Sequence, residues 1–473
     1  MIRATVGTWG NYATTLLFQI VFATRYGGSA SASVFVVAFG VLLAFGSVVT
    51  SSVQSLVVPR LVLADNRLSA DALRLVRAFG AAGLALLALI YVYPSALASL
   101  IAAVTTLPAA GLTHAFRAGA LFMALQTTAG ALMAIAIARG ARFPPAIAPA
   151  LPSLAGTAYL LFEAHPSVPA TLYALATGAA IEALLMAFAA FGGATVASVS
   201  SPKVGALSIW TAVQFVALTM VAPLERIVAS IHGPAGAADY NYAIRSLAIA
   251  EQLLVGGLVL ASLGDWSRLW RMGDESAFNH AVWRAAGLAM MVLVLAGSMG
   301  AVASHWLVAL VYEHGRFTSA DTALVARLLV LAIPGFCAEG ISLVLAQALL
   351  ASRRNRTAVA IGFCNFGVRV VALFVFGVPY GARGVAVAYS VGTILVLVPL
   401  VVAVLRLAPP SPLWRGVLAR QIAVASSTVL AAVVVATAIH IDAVGRVAAL
   451  ALAFGLLVGA LKKSMGTIGG GSV

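Results

Sequence analysis

The sequence predicts an all-α membrane protein of about 14 transmembrane helices, arranged as two six-helix lobes in parallel pseudo-repeat plus a C-terminal helix pair. Three observations predict it. Hydrophobic residues make up 62% of the 473 and charged residues only 9%, where a soluble domain carries about a quarter charged. The apolar residues gather into fourteen runs, most of them 20 residues or longer, enough at about 1.5 Å per residue to cross roughly 30 Å of hydrocarbon. The intervening loops are alternately rich and poor in arginine and lysine, the mark of a chain oriented by the positive-inside bias.

The runs lie near 4–23, 33–59, 77–103, 115–138, 145–162, 168–191, 204–229, 240–263, 282–312, 321–351, 357–378, 384–406, 414–438 and 443–461. The first is weakly hydrophobic because of Asn11 and Gln19, and is expected to be a retained helix rather than a cleaved signal peptide. The fifth is rich in proline and the ninth is long, so these two depart most from a regular span.

With the N-terminus placed in the cytoplasm, the inside segments hold Arg3, Arg60, Arg67, Arg74, Arg77, Arg139, Arg142, Lys203, Arg268, Arg271, Arg284, Arg353, Arg354, Arg356, Arg406, Arg415, Arg420, Lys462 and Lys463. That is 19 of the 28 basic residues. One missed or invented helix would invert the alternation from that point on. The bias therefore predicts an even number of spans, with both termini on the cytoplasmic side of the membrane.

This placement also accounts for the net charge of +14. No compact basic face with interleaved aromatics exists, so no nucleic-acid partner is expected. Cys337 and Cys364 both fall in apolar runs and read as small buried hydrophobes, not as a disulfide or a metal site. No phosphate-binding Gly-x-x-x-x-Gly-Lys-Ser/Thr loop and no metal-spaced His/Cys cluster is present, so neither ATP hydrolysis nor a metal or other cofactor is expected.

A weak internal repeat has a period of about 205 to 214 residues. Arg25-Tyr-Gly-Gly-Ser-Ala-Ser-Ala-Ser-Val-Phe resembles Ile231-His-Gly-Pro-Ala-Gly-Ala-Ala-Asp-Tyr-Asn, each in the turn between the first two helices of a half. Arg142-Phe-Pro-Pro-Ala takes the place of Arg356-Thr-Ala-Val-Ala, each at the entrance to a fifth helix. The predicted organisation is a first lobe over 1–200, a second over 201–408, and a helix pair with tail over 409–473.

Several stretches resemble one known family. Leu310-Val-Tyr-Glu-His-Gly-Arg-Phe-Thr-Ser-Ala-Asp-Thr-Ala-Leu is similar to the ninth-to-tenth helix turn of the MurJ/MviN lipid II flippase family, a branch of the multidrug/oligosaccharidyl-lipid/polysaccharide exporter superfamily. Arg226-Ile-Val-Ala-Ser and Tyr240-Asn-Tyr-Ala-Ile-Arg245 resemble its seventh and eighth helices, and Tyr26-Gly-Gly with Phe35-Val-Val-Ala-Phe39 its first turn. The resemblance implies two lobes around a cationic cavity. It further implies movement of a polyprenyl-diphosphate-linked glycan, lipid II or a related polysaccharide precursor, by alternating access without ATP. The chain departs from the family in its N-terminal half. Gly40-Val-Leu-Leu-Ala-Phe-Gly-Ser carries no charge where the family has paired arginines and an acid. Ser33 stands where an Asp is expected, and no arginine lies between Ala4 and Ala23.

A diphosphate calls for cations, and arginine offers a fork of paired donors. An ion at bilayer depth costs roughly 2.5–3.5 kcal/mol, so it faces a cavity or a partner. Arg245 reads either as a diphosphate contact or as a side chain reaching to the interface. Arg226, preceded by Glu225, reads as a second contact or as part of an interfacial ion cluster. Arg369, one turn after Asn365, either pairs with Glu339 or takes the place of a bound sodium ion. Glu251, with Glu339 and Asn365, forms the expected ion-coupling set, a structural partnership with a neighbouring helix being the other reading of Glu251. Asn11, Gln19, Gln54, Gln126 and Gln214 either line the cavity or bond between helices. Glu182 is an acid deep in the sixth run, Arg117 is expected at an interface, and Gly315–Asp321 is expected to be a turn and helix cap.

The expected activity is thus flipping of a lipid-linked oligosaccharide, driven by the membrane potential or a coupled ion, with membrane lipid as the second partner. A drug antiporter of the same superfamily is the first alternative and would need acids in the cavity. An intramembrane glycan polymerase or ligase is the second, and the short loops leave little room for its catalytic residues.

Overall fold

The computed structural model describes residues 2–52, 68–138, 141, 143–191, 196–197, 206–352, 354–411, 416, 420 and 427–428. Apart from a two-residue parallel pairing of Leu68–Ser69 with Val196–Ala197, its regular structure is helical. Seven continuous stretches among the described residues are long and apolar enough to cross a membrane. The bent pair Gly83–Val92 and Pro94–Ala102 makes an eighth. One stretch, Arg356–Leu407, has 52 residues and would run about 78 Å as a single rod. Gly381, at φ 57° and ψ −138°, breaks it into two, matching the eleventh and twelfth runs. The runs at 414–438 and 443–461, and with them the full count of fourteen, reach outside the described residues.

Two runs that look continuous in sequence are broken. The third bends by 76° at Tyr93, because Pro94 cannot donate to the preceding turn and instead opens the helix Pro94–Ala102. The long ninth begins earlier than expected, at Glu275, with the Asp274 side chain accepting from the Ala277 amide at 2.9 Å. It ends at Val302, and Ser304–Tyr312 follows as a separate helix. The two short helices start 210 residues apart, at 94 and 304, and the same offset separates helix starts 109 from 319 and 168 from 378. The parallel repeat is therefore written in the breaks as well as in the spans.

The chain forms two compact units. The first comprises Met1–Asn241, Tyr312–Asp321 and Tyr380–Ala382; the second comprises the remainder. In the first, the helices Ala109–Ala138 and Val168–Phe191 pack along their length. Helix Val168–Phe191 shows why this is a membrane fold. Leu172, Leu175, Ala179, Glu182, Met186 and Ala190 form its buried stripe. Its other side exposes Ile181, Leu184, Leu185 and Phe188, a stripe of large apolar groups that lipid covers and water would not. Small residues let backbones approach: a Cβ on Gly178 would stand 2.5 Å from the Leu151 carbonyl oxygen.

In the second unit the helix Ser319–Ala351 contains Pro334, and its ladder is opened beside the proline. The Ser390 hydroxyl, from helix Val378–Leu407, donates to the Leu331 carbonyl at 2.6 Å and accepts from the Gly335 amide at 3.1 Å. Those two groups would bond each other in an uninterrupted helix, so Ser390 is inserted as a clip that holds the bend. Replacing it, Ser390→Ala, leaves one buried donor and one acceptor unsatisfied. The substitution is expected to lower unfolding stability by about 1–3 kcal/mol, read as a lower thermal midpoint in detergent; an unchanged midpoint would show that the clip carries nothing.

Candidate functional site

The sequence-predicted residues fall into separate polar clusters. In the first unit, helix Ala206–Ala229 places Glu225 and Arg226 against the start of helix Gly236–Glu251. The Tyr240 hydroxyl donates to the Glu225 carboxylate at 2.8 Å, and Arg226 Nε donates to the Asn241 side-chain oxygen at 3.2 Å. Glu225 and Arg226 are 3% and 7% exposed, so both are buried among partners rather than spread at an interface. The Arg226 guanidinium also lies on helix Ala30–Ser52: a Cβ on Gly40 would be 2.7 Å from its Nη1. Gly40, in the stretch of sequence that carries no charge, gives this arginine room.

The Gly315–Asp321 element is the turn and cap the sequence predicts. Gly315 and Gly27 adopt φ 61° and 58°, the left-handed region that glycine tolerates. The Arg316 amide donates to the Thr24 carbonyl at 2.9 Å. The Asp321 carboxylate accepts from the Thr318 amide at 2.8 Å, and the Thr318 hydroxyl accepts from the Asp321 amide at 3.3 Å, a reciprocal capping box. Ser33 performs a related task, its hydroxyl accepting from the Ala238 amide at 3.1 Å near the start of helix Gly236–Glu251.

The second unit gathers the expected ion-coupling residues around a tyrosine that sequence reasoning missed. Tyr389 donates to Glu339, and the Arg369 guanidinium carbon sits 5.0 Å from the Tyr389 ring centroid, within cation–π range. Tyr389 thus links the arginine and the glutamate that the sequence suggested as a pair. Glu251 is buried, interacts electrostatically with Glu339, and directly precedes the π-helical turn Gln252–Gly256, an irregularity common at functional positions. Three glycines make room here. A Cβ on Gly335 would meet the Tyr389 ring at 2.6 Å, one on Gly392 the Arg369 stem at 3.0 Å, and one on Gly340 the Glu251 carboxylate at 3.3 Å.

Asn365 and Arg245 are half-buried, the latter six residues before Glu251 on helix Gly236–Glu251 and on a different face of it. In the first helix Asn11 is half-buried and Gln19 is 9% exposed, the Gln19 side-chain oxygen lacking a hydrogen-bond partner among the described residues. Gln54 and the side chain of Gln214 lie outside the described residues. Arg117 is exposed, as expected of an interfacial residue. Cys337 is buried and Cys364 exposed, both as free thiols. Among the described residues no group of three or more histidine, cysteine or acidic side chains is placed to hold a metal. The signal that could have found Tyr389 and Ser390 is their adjacency: two consecutive hydroxyls in an otherwise apolar run.

Comparison with known proteins then bears on the whole chain. The family model "Lipid II flippase MurJ" matches residues 22–455. No curated protein sequence is significantly similar. Among solved structures, "Lipid II flippase MurJ, inward closed conformation" matches at TM-score 0.80 and 15% identity, covering 98% of this chain and 100% of that one. An inward-facing multidrug resistance MATE family transporter of the MOP superfamily matches at 0.61 and 13%, over 84% and 94%. A MOP superfamily transporter from Pyrococcus furiosus matches at 0.59 and 14%, over 86% and 94%. At these identities the likeness is one of fold.

Tyr389→Phe keeps the ring under Arg369 and removes the hydroxyl from Glu339. Loss of a hydrogen bond to a charged group should cost about 1.5–3 kcal/mol, measured by denaturant or thermal unfolding in detergent. An unperturbed variant would mean that Glu339 is held by something other than Tyr389.

Proposed function

Because the chain belongs to the lipid II flippase MurJ family, we propose that it moves a polyprenyl-diphosphate-linked glycan across a bacterial inner membrane. The observation that carries this reading is the family match over residues 22–455, supported by the two-unit helical fold. The cargo is lipid II or a related polysaccharide precursor. The protein acts as a transporter rather than an enzyme, its termini are cytoplasmic, and its partners are the lipid-linked oligosaccharide and membrane lipid.

Arg245 engages the diphosphate as a bidentate donor. Arg226, Glu225, Arg369, Asn11, Gln19 and Gln54 are further candidate substrate contacts, while Glu251, Glu339 and Asn365 respond to a coupled ion or to the membrane potential. Movement follows alternating access, and any ligand biases it only through its different affinity for the two states. The antiporter alternative is less well supported, since the MATE transporter matches at 0.61 where the flippase structure matches at 0.80.

Arg245→Ala is expected to abolish complementation of a flippase-depleted strain with protein level unchanged. Arg245→Lys, a point charge without the fork, should restore growth in part. Full complementation by the alanine variant removes Arg245 from the mechanism.

A further inference from the structure

Three buried acids have a carboxyl oxygen without a hydrogen-bond partner among the described residues: Asp239 and Glu251, each beside a second acid, and, with both of its oxygens so placed, Glu182. Glu182 is fully buried, at 0% exposure, on the packed stripe of helix Val168–Phe191. Glu225 has a tyrosine hydroxyl, as does Glu339. Among the described residues Glu182 has Gln126 of helix Ala109–Ala138 beside it, whose side chain approaches the carboxyl as a weak donor. Neither carboxyl oxygen has a well-formed hydrogen bond among the described residues, nor has the side-chain oxygen of Gln126.

No counter-charge faces it among the described residues. The helices packed on Val168–Phe191 are Ala109–Ala138, Ala150–Phe162, Ala30–Ser52 and the short Phe143–Ile147. The last three carry no charged side chain. In Ala109–Ala138 the ionisable residues are His114 and Arg117, the nearer nine residues before Gln126, or roughly 13 Å along the helix. An ionised carboxylate in such a place has neither a cation nor enough donors, and its burial is costly. A protonated carboxyl is itself a donor. It can give the Gln126 oxygen its missing bond while accepting from the amide nitrogen, so acid and amide satisfy each other.

We infer that Glu182, paired with Gln126, is a proton-binding site within the first unit, through which the transport cycle takes up and releases a proton. The step is a simple exchange: water delivers one proton to a carboxylate oxygen, and the same oxygen returns it when Glu182 is rehydrated. Thr127, next to Gln126, lines a cavity of about 310 Å³ with Arg77 at its wall, and its buried hydroxyl oxygen lacks a partner among the described residues. The transport half of this inference rests on the flippase reading; the proton-binding half does not.

The test treats the full-length protein in detergent with dicyclohexylcarbodiimide, which modifies protonated carboxyls in apolar surroundings, and maps adducts by peptide mass spectrometry. Glu182 should be modified at acidic pH, and progressively less as pH rises and the carboxyl ionises. Absence of the adduct at every pH, or labelling that does not change with pH, overturns proton binding at Glu182. In proteoliposomes, Glu182→Gln keeps the neutral amide geometry and should flatten the pH dependence of lipid-linked glycan flipping. A Glu182→Gln profile identical to wild type overturns the coupling role even where the adduct forms. Wild-type protein that labels at Glu182 yet moves no glycan contradicts the flippase reading and leaves proton binding standing.

Discussion

A polar side chain at bilayer depth needs a partner and room to reach it, because hydrocarbon supplies neither donors nor slack. Much of this fold follows from how both needs are met. Arg226 reaches Asn241 across Gly40, Arg369 reaches the Tyr389 ring past Gly392, and Tyr389 fits against Gly335 on its way to Glu339. Glu251 lies over Gly340. In each case a glycine on the facing helix removes the Cβ that would block the group. The glycines therefore serve polar seating as well as close packing, most directly at Gly40, where a Cβ would meet the Arg226 guanidinium first.

The same constraint explains the irregular helices. Ser390 interrupts the ladder of Ser319–Ala351 yet satisfies both the Leu331 carbonyl and the Gly335 amide, since one hydroxyl both donates and accepts. The break at Pro94 and the break after Val302 recur at one offset in the repeat. They are features of the repeating unit itself, placed where a rigid rod would have been easier to build.

Composition and loop charge made the membrane class and the spans legible, because lipid demands long apolar runs and the demand is local. The turn at Gly315–Asp321 was equally legible: glycine, threonine and aspartate at those spacings have few other uses. Tyr389 and Gly40 were not, because their roles depend on which helix faces which. Arg369 and Glu339 read as a pair from their types, and the tyrosine linking them sits 20 residues further along the chain than the arginine. The stretch around Gly40 carries no charge in sequence, and packing places the Arg226 guanidinium of helix Ala206–Ala229 beside it.

Family membership and the described fold together favour an anionic lipid-linked cargo over an organic cation. The most direct measurement is transport by the purified protein in proteoliposomes. A fluorescent polyprenyl-diphosphate glycan is placed in one leaflet, and its arrival in the other is followed with a membrane-impermeant quencher. The account predicts accelerated appearance of this lipid with no movement of cationic dyes. Dye efflux without glycan flipping would contradict it.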